Sequence, residues 1–415
     1  MAAGHDTEVT RELDRLFRRE AGRLVATLVK KLGPHHLNLA EDTAQEALAA
    51  AARTWPYDGL PDNPAAWLRT TAYRRAIDEL RRAKVAAKAL PLLEQEATAL
   101  PSDESLTGDA ELELLFLCCQ PMVAELDRLA LTLNIAFGFS AREVAQLFFM
   151  KAPAMSARLT RAKEHVTQSG LDCAMPLRTG LRERLPSVLK VVYLAFSLGF
   201  SPGPGPKAVR EDVALEALRL ARALTHGAGA QDGSTDALTA LLSFQASRLQ
   251  ARTDEEGAFI RLENQDRSRW DHQLVTQGFL HLARAQRAET LSRYHIEAGI
   301  AAAHAAAPSF AATDWTQIVR LYQTLEAMTG SPVVALNHAA ALSAAGEPAT
   351  ALDKLKSLER HPAMENNLHF HTAMADILHR LGKADEARAA FLKARFLPGS
   401  DSDLAYLDVR LAALD

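Results

Sequence analysis

Residues 131 to 163 read LTLNIAFGFSAREVAQLFFMKAPAMSARLTRAK, and no other stretch restricts the local fold as much. Ser140 followed three residues later by Glu143 makes a capping box, in which hydroxyl and carboxylate satisfy backbone N–H groups left open by a first helical turn. Val144, Leu147 and Phe148 then give a short helix one apolar face. After a tight turn, a second helix carries a thin apolar seam of Met155, Leu159 and Ala162 beside a basic surface of Lys151, Arg158, Arg161 and Lys163. This is the pattern of a helix-turn-helix, with a cationic second helix placed to meet phosphates along a major groove. An ordinary helical hairpin with a solvated basic face has the same residues.

Residues 38 to 84 supply a second constellation. Two helices are predicted, the second opened by Asn63 as cap and Pro64 at its first position. Along it Trp67, Leu68, Thr71, Ala72, Ala76 and Leu80 recur at helical spacing, while Arg69, Arg74, Arg75, Arg81, Arg82 and Lys84 are positive. Charge for phosphates together with the rings of Trp67 and Tyr73 is what unstacked single-stranded DNA requires. Trp67 at that spacing equally suits the core.

The series Asp42, Gln45, Glu46, then Ala66-Trp67-Leu68, then Ala76-Ile77-Asp78 with Leu80-Arg81-Arg82, followed by the helix-turn-helix, resembles the extracytoplasmic-function sigma factors of bacterial RNA polymerase. The resemblance implies that Asp42, Gln45 and Glu46 contact the clamp helices of the polymerase β′ subunit. It implies that Trp67, Arg74, Arg75, Asp78, Arg81 and Arg82 melt and read the proximal promoter element. Lys151, Ser156, Arg158, Arg161 and Lys163 would read the distal element, with their domain seated on the flap of the β subunit. Two departures stand out: this chain reads AYRRAID where relatives commonly place an Asn before AID, and Ala152-Pro153-Ala154 replaces the usual polar helix start. Residues 182–202 and the run LENQDRSRWD at 262–271 resemble the extension of a subgroup that fuses the sigma module to tetratricopeptide-like helices.

The expected organisation is all-α: a region 2 domain at 1–85, a linker at 86–109, a region 4 helix-turn-helix domain at 110–170, a helical extension at 178–285 and a repeat domain at 286–415. The repeats rest on helix pairs predicted at 332–345 with 348–360 and 366–381 with 384–396. Their turns at Gly346 and Gly382 lie roughly 36 residues apart, near the tetratricopeptide period of about 34. Ala387, Phe391 and Pro398 match that motif, a pair near 290–307 and 314–329 reads as a degenerate repeat, and 403–414 as a cap.

The 415 residues hold 47 Lys and Arg against 51 Asp and Glu, so basic charge is local and a uniformly basic nucleic-acid binder is excluded. DNA affinity is then expected to depend on a partner, the core RNA polymerase. The amino terminus is charged and amphipathic rather than a signal peptide, and no apolar run approaches the roughly 20 residues that span a bilayer, so a cytoplasmic protein without a membrane anchor is expected. Cys118 and Cys119 sit in an apolar run and read as buried thiols; with Cys173 they form no zinc or disulfide pattern. The Gly-Pro loop at 202–206 lacks the Gly-Lys-Ser/Thr ending of a phosphate cradle. No metal site, cofactor or catalytic triad is expected, and the chain is not read as an enzyme. Asp266, Arg267, Arg269, Trp270 and Asp271 read as a polar interdomain cluster, and the extension is expected to pack on the sigma domains. Two other readings share these features: a polymerase-independent helix-turn-helix regulator with a repeat sensor, and a repeat scaffold.

Overall fold

The computed structural model describes residues 20–85, 104–148, 150–170, 178–200, 210–226, 233–255 and 260–414. Every regular element among them is a helix, in keeping with the all-α expectation. Two compact units result, Met1–Ala195 with His226–Gly229, and Phe196–Thr225 with Ala230–Asp415.

In the first unit α1 spans residues 20–32 and buries Leu24, Val25, Ala26, Leu28, Val29 and Leu32. A helix apolar on nearly every side belongs in the middle of a bundle. It is joined there by α4 (Glu104–Cys118) and α5 (Glu125–Phe137), both rich in buried leucines. Backbones come close: a Cβ on Gly22 would lie 2.1 Å from the carbonyl oxygen of Ala136 in α5, so α1 has glycine where it meets α5. Arg23 Nε donates to Glu111 at 3.2 Å, and the Lys30 ammonium lies 3.1 Å from Glu113, both carboxylates on α4. The described stretches 20–85 and 110–170, separate in sequence, thus share one core.

Helix α2 (Leu37–Asp58) turns Leu37, Ala40, Ala44, Ala47, Ala51 and Trp55 inward at i, i+3, i+4 spacing. It packs on α3 (Pro64–Val85), which starts as expected, with the Asn63 carboxamide accepting from Ala66 N at 2.9 Å. The linker is shorter than the sequence suggested. Residues 104–109 are already helical, and residues 86–103 lie outside those described. Short α6 (Ala141–Leu147) and longer α7 (Ala152–Gln168) close the layer, and α8 (Arg178–Phe200) follows. Arg184 on α8 donates to the Phe116 carbonyl at 3.4 Å, and Lys190 pairs with Glu125 at 2.5 Å. Cys118 and Cys119 are fully buried, and burial pushes the Cys119 thiol up to about 11, against a hydrogen bond with Thr132 that favours the thiolate. A thiol so placed is inert at neutral pH.

In the second unit α9 (Glu211–His226), α10 (Gly233–Ala246) and α11 (His272–Ala285) form the first layer. Helix α10 is buried at eleven of its fourteen positions and so occupies the centre. A Cβ on Gly278 of α11 would sit 2.6 Å from the Phe244 ring, which sets how closely α11 approaches α10. Pairs follow: α12 (Arg293–Ala306) with α13 (Trp315–Thr329), α14 (Pro332–Ala344) with α15 (Pro348–Leu358), and, after the single turn α16 (Pro362–Glu365), α17 (Leu368–Arg380) with α18 (Ala384–Arg395), ended by α19 (Asp401–Ala412). These bounds lie within a few residues of those read from sequence. Gly346 (φ 90°) and Gly382 (φ 76°) occupy matching turns where only glycine is unstrained. Because α12 packs on α10, the helices on either side of residue 285 also share a core.

Candidate polymerase and nucleic-acid interface

Asp42, Gln45 and Glu46 all point outward from α2, opposite Thr43, Ala44 and Ala47, which are buried. Spacing of three and four residues brings them to one stripe. Glu46 accepts from Arg75 Nη1 on α3 at 2.7 Å, both side chains being more than a third exposed. The expected polymerase contact and the expected promoter contact are therefore neighbours across a weak surface ion pair.

On α3 Arg74, Asp78, Arg81 and Arg82 are exposed, as are Glu79 and Ala83, with Arg75 half-buried. Arg82 pairs with Glu79 at 2.9 Å and Arg81 lies 3.9 Å from Asp78, one turn back in each case. The aromatic residues divide. Trp67 is half-buried, edge-on to the buried Trp55 with ring centroids 5.4 Å apart, so one part of it is core. Tyr73 is 4% exposed, beneath the Lys31 ammonium at 5.4 Å from its ring, and offers no face to a base in this arrangement.

The capping box is present: Ser140 accepts from Glu143 N at 3.2 Å and the Glu143 carboxylate accepts from Ser140 N at 2.8 Å. Helix α7 starts at Ala152 with no side-chain cap from Lys151 and buries Met155, Leu159, Ala162 and Val166. Lys151, Ser156 and Arg161 are exposed. The other two basic residues are committed elsewhere, Arg158 Nε to Asp127 on α5 at 2.6 Å and Lys163 to Glu41 on α2 at 2.5 Å. Sequence reading missed Glu41 and Asp127, because ion pairs spanning 122 and 31 residues leave no local pattern.

The run at 262–271 is tied into its own unit. Asp266 caps the turn Arg267–Arg269 and Asp271 caps α11, accepting from Gln273 N and Leu274 N. Hydrogen bonds from Ser268 hold the Asp266 carboxyl below its usual range. Arg267 donates to the carbonyls of His304 and Ala307 at the end of α12, and Trp270 is buried.

Residues 16–85 match the family Sigma-70 region 2, and residues 184–286 match a family of unknown function (DUF6596). The α2–α3 pair with its exposed acidic stripe and basic helix is thus the part of the molecule by which a transcription initiation factor, rather than an enzyme, is defined. Over 394 residues the chain is 36% identical to the uncharacterized protein R00370 of Rhizobium meliloti (strain 1021), spanning 91% of this chain and 90% of that protein. The chain belongs to one family with R00370, and its residues 16–85 are a sigma-70 region 2. No solved structure matches it.

Proposed function

We propose that the chain is a sigma factor of the extracytoplasmic-function type that binds core RNA polymerase and directs it to promoters, working in the cytoplasm. The observation that carries this reading is the outward stripe of Asp42, Gln45 and Glu46 on a helix of the matched region 2. In this reading the stripe meets the β′ clamp. Trp67, Arg74, Arg75, Asp78, Arg81 and Arg82 serve the proximal element. The pair α6–α7 is a helix-turn-helix seated on the β flap, with Lys151, Ser156 and Arg161 ready for the distal element and Arg158 and Lys163 released to it when their carboxylates let go.

The domains then follow as region 2 (1–85), a linker ending near 103, region 4 up to 170, a helical extension (178–285) and tetratricopeptide-like repeats (286–415), the last two regulatory. Regulation by the extension is tested by truncation after residue 195 rather than earlier, because Arg184 and Lys190 of α8 bind α4 and α5. Activity and core affinity equal to the full chain would sink that part.

The central test is association of purified protein with core polymerase and transcription from a cognate promoter. Tight promoter binding without polymerase would favour a polymerase-independent regulator, and no binding to either would favour a scaffold.

A further inference from the structure

Arg248, Arg267, Trp270 and His304 meet in the second unit, whereas the polymerase and promoter residues of α2, α3 and α7 belong to the first. The Arg248 and Arg267 guanidinium carbons lie 5.9 and 5.0 Å from the centre of the Trp270 ring. Trp270 is 5% exposed, yet its indole N–H has no hydrogen-bond partner among the described residues, and neither has the buried Nδ1 of His304. An orphaned buried donor is uncommon and asks for an explanation.

Among the described residues no carboxylate pairs with Arg248 or Arg267; Arg248 donates only to the neutral Gln245 side chain, and Arg267 is bonded to carbonyls and to Thr313. Arg252 stands beside Arg248, donating to the Phe200 carbonyl at 2.9 Å. Glu297, which acts on Tyr322, is held by Arg293 at 2.7 Å. Burial, then the neighbouring guanidinium, lowers Arg248 to about 10, so it stays charged at neutral pH while repelling Arg267.

We propose that this cluster binds a phosphate-bearing small molecule, with Arg248, the Trp270 indole N–H and His304 Nδ1–H donating to the phosphate oxygens. Arg267 keeps its N–H groups on the α12 carbonyls and contributes fixed positive charge. Two adjacent guanidinium groups are neutralised by a dianion, whereas a carboxylate leaves one charge uncompensated. Arg248 keeps part of its surface in solvent, which leaves an approach for a small ligand, while Trp270 is 5% exposed and offers little to the backbone of a long nucleic acid.

The test is titration of the full-length protein with inorganic phosphate, followed by calorimetry and thermal unfolding, against sodium chloride and sodium acetate at matched ionic strength. A saturable rise in Tm is expected with phosphate alone. Arg248→Gln should weaken phosphate binding about tenfold and Trp270→Phe about threefold. Stabilisation by phosphate no greater than by chloride overturns the site, and acetate binding as tightly overturns the dianion assignment. Where Arg248→Gln fails to fold, Trp270→Phe decides, and undiminished phosphate affinity in that variant overturns the proposal.

Discussion

The arginines of α3 and those around Trp270 carry the same group into opposite surroundings. Arg81 and Arg82 are exposed, each with a carboxylate one turn back at 3.9 and 2.9 Å. Such cations keep their water and can exchange it for phosphates along a polyanion at little desolvation cost, with the salt dependence that counterion release brings. Arg248 and Arg267 are half-buried, share one indole and have no carboxylate partner among the described residues. Their repulsion is part of the folded state, and the proposed dianion would offset it. How many arginines a helix carries says little; how much water surrounds them, and the distance to the nearest acid, separates a groove-facing surface from a pocket-like one.

The largest effect is expected on the exposed side. Asp42→Lys with Glu46→Lys places positive charge where a polymerase contact is proposed and should lower core affinity on the order of a hundredfold, read by a binding titration, with helix content by circular dichroism unchanged. Wild-type affinity in that double variant breaks the comparison at its root. Next come the close helix approaches. Gly22→Ala should destabilise the first unit by about 3 kcal/mol and Gly278→Ala the second by about 1 kcal/mol in denaturant unfolding, because a backbone carbonyl at 2.1 Å yields less than the Phe244 ring at 2.6 Å.

A pH experiment isolates the buried cluster. His304 is held down to about 4 from 6.5, by burial first and by Arg248 and Arg267 next. The unfolded chain therefore takes up this proton near pH 6.5 and the folded chain only near pH 4. Stability is full above pH 6.5 and falls as pH drops toward 4, by on the order of 2 kcal/mol, and His304→Gln should flatten that fall. The smallest effect returns to α7. Arg161→Ala should weaken distal-element binding and lower the salt slope by roughly one. Arg158→Ala should do less, since its guanidinium is already engaged by Asp127 at 2.6 Å. Equal losses would place the DNA on a rearranged first unit.

Much of the local structure was legible. Ser140 with Glu143, and Asn63 before Pro64, each set a helix start from residues within one turn. Gly346 and Gly382 marked turns because positive φ excludes other side chains. The outward stripe of Asp42, Gln45 and Glu46 was readable because helical spacing alone separates it from Thr43, Ala44 and Ala47. Less legible were the roles of single side chains. Tyr73 looked like a stacking ring and is buried, while in LENQDRSRWD Asp266 and Asp271 serve as caps and Arg267 reaches across residue 285 to the end of α12.

The amino-acid sequence by itself determined the helices, their caps, the glycine turns and the region 2 stripe, because each depends on groups a few residues apart. Only the tertiary structure decided that α1 packs between α4 and α5, that Lys163 and Arg158 are held by Glu41 and Asp127, and that Arg248 and Arg267 both lie against Trp270 with no carboxylate partner among the described residues. Those outcomes depend on burial and on the distance between charges far apart in the chain, and a sequence specifies neither until the cores have formed.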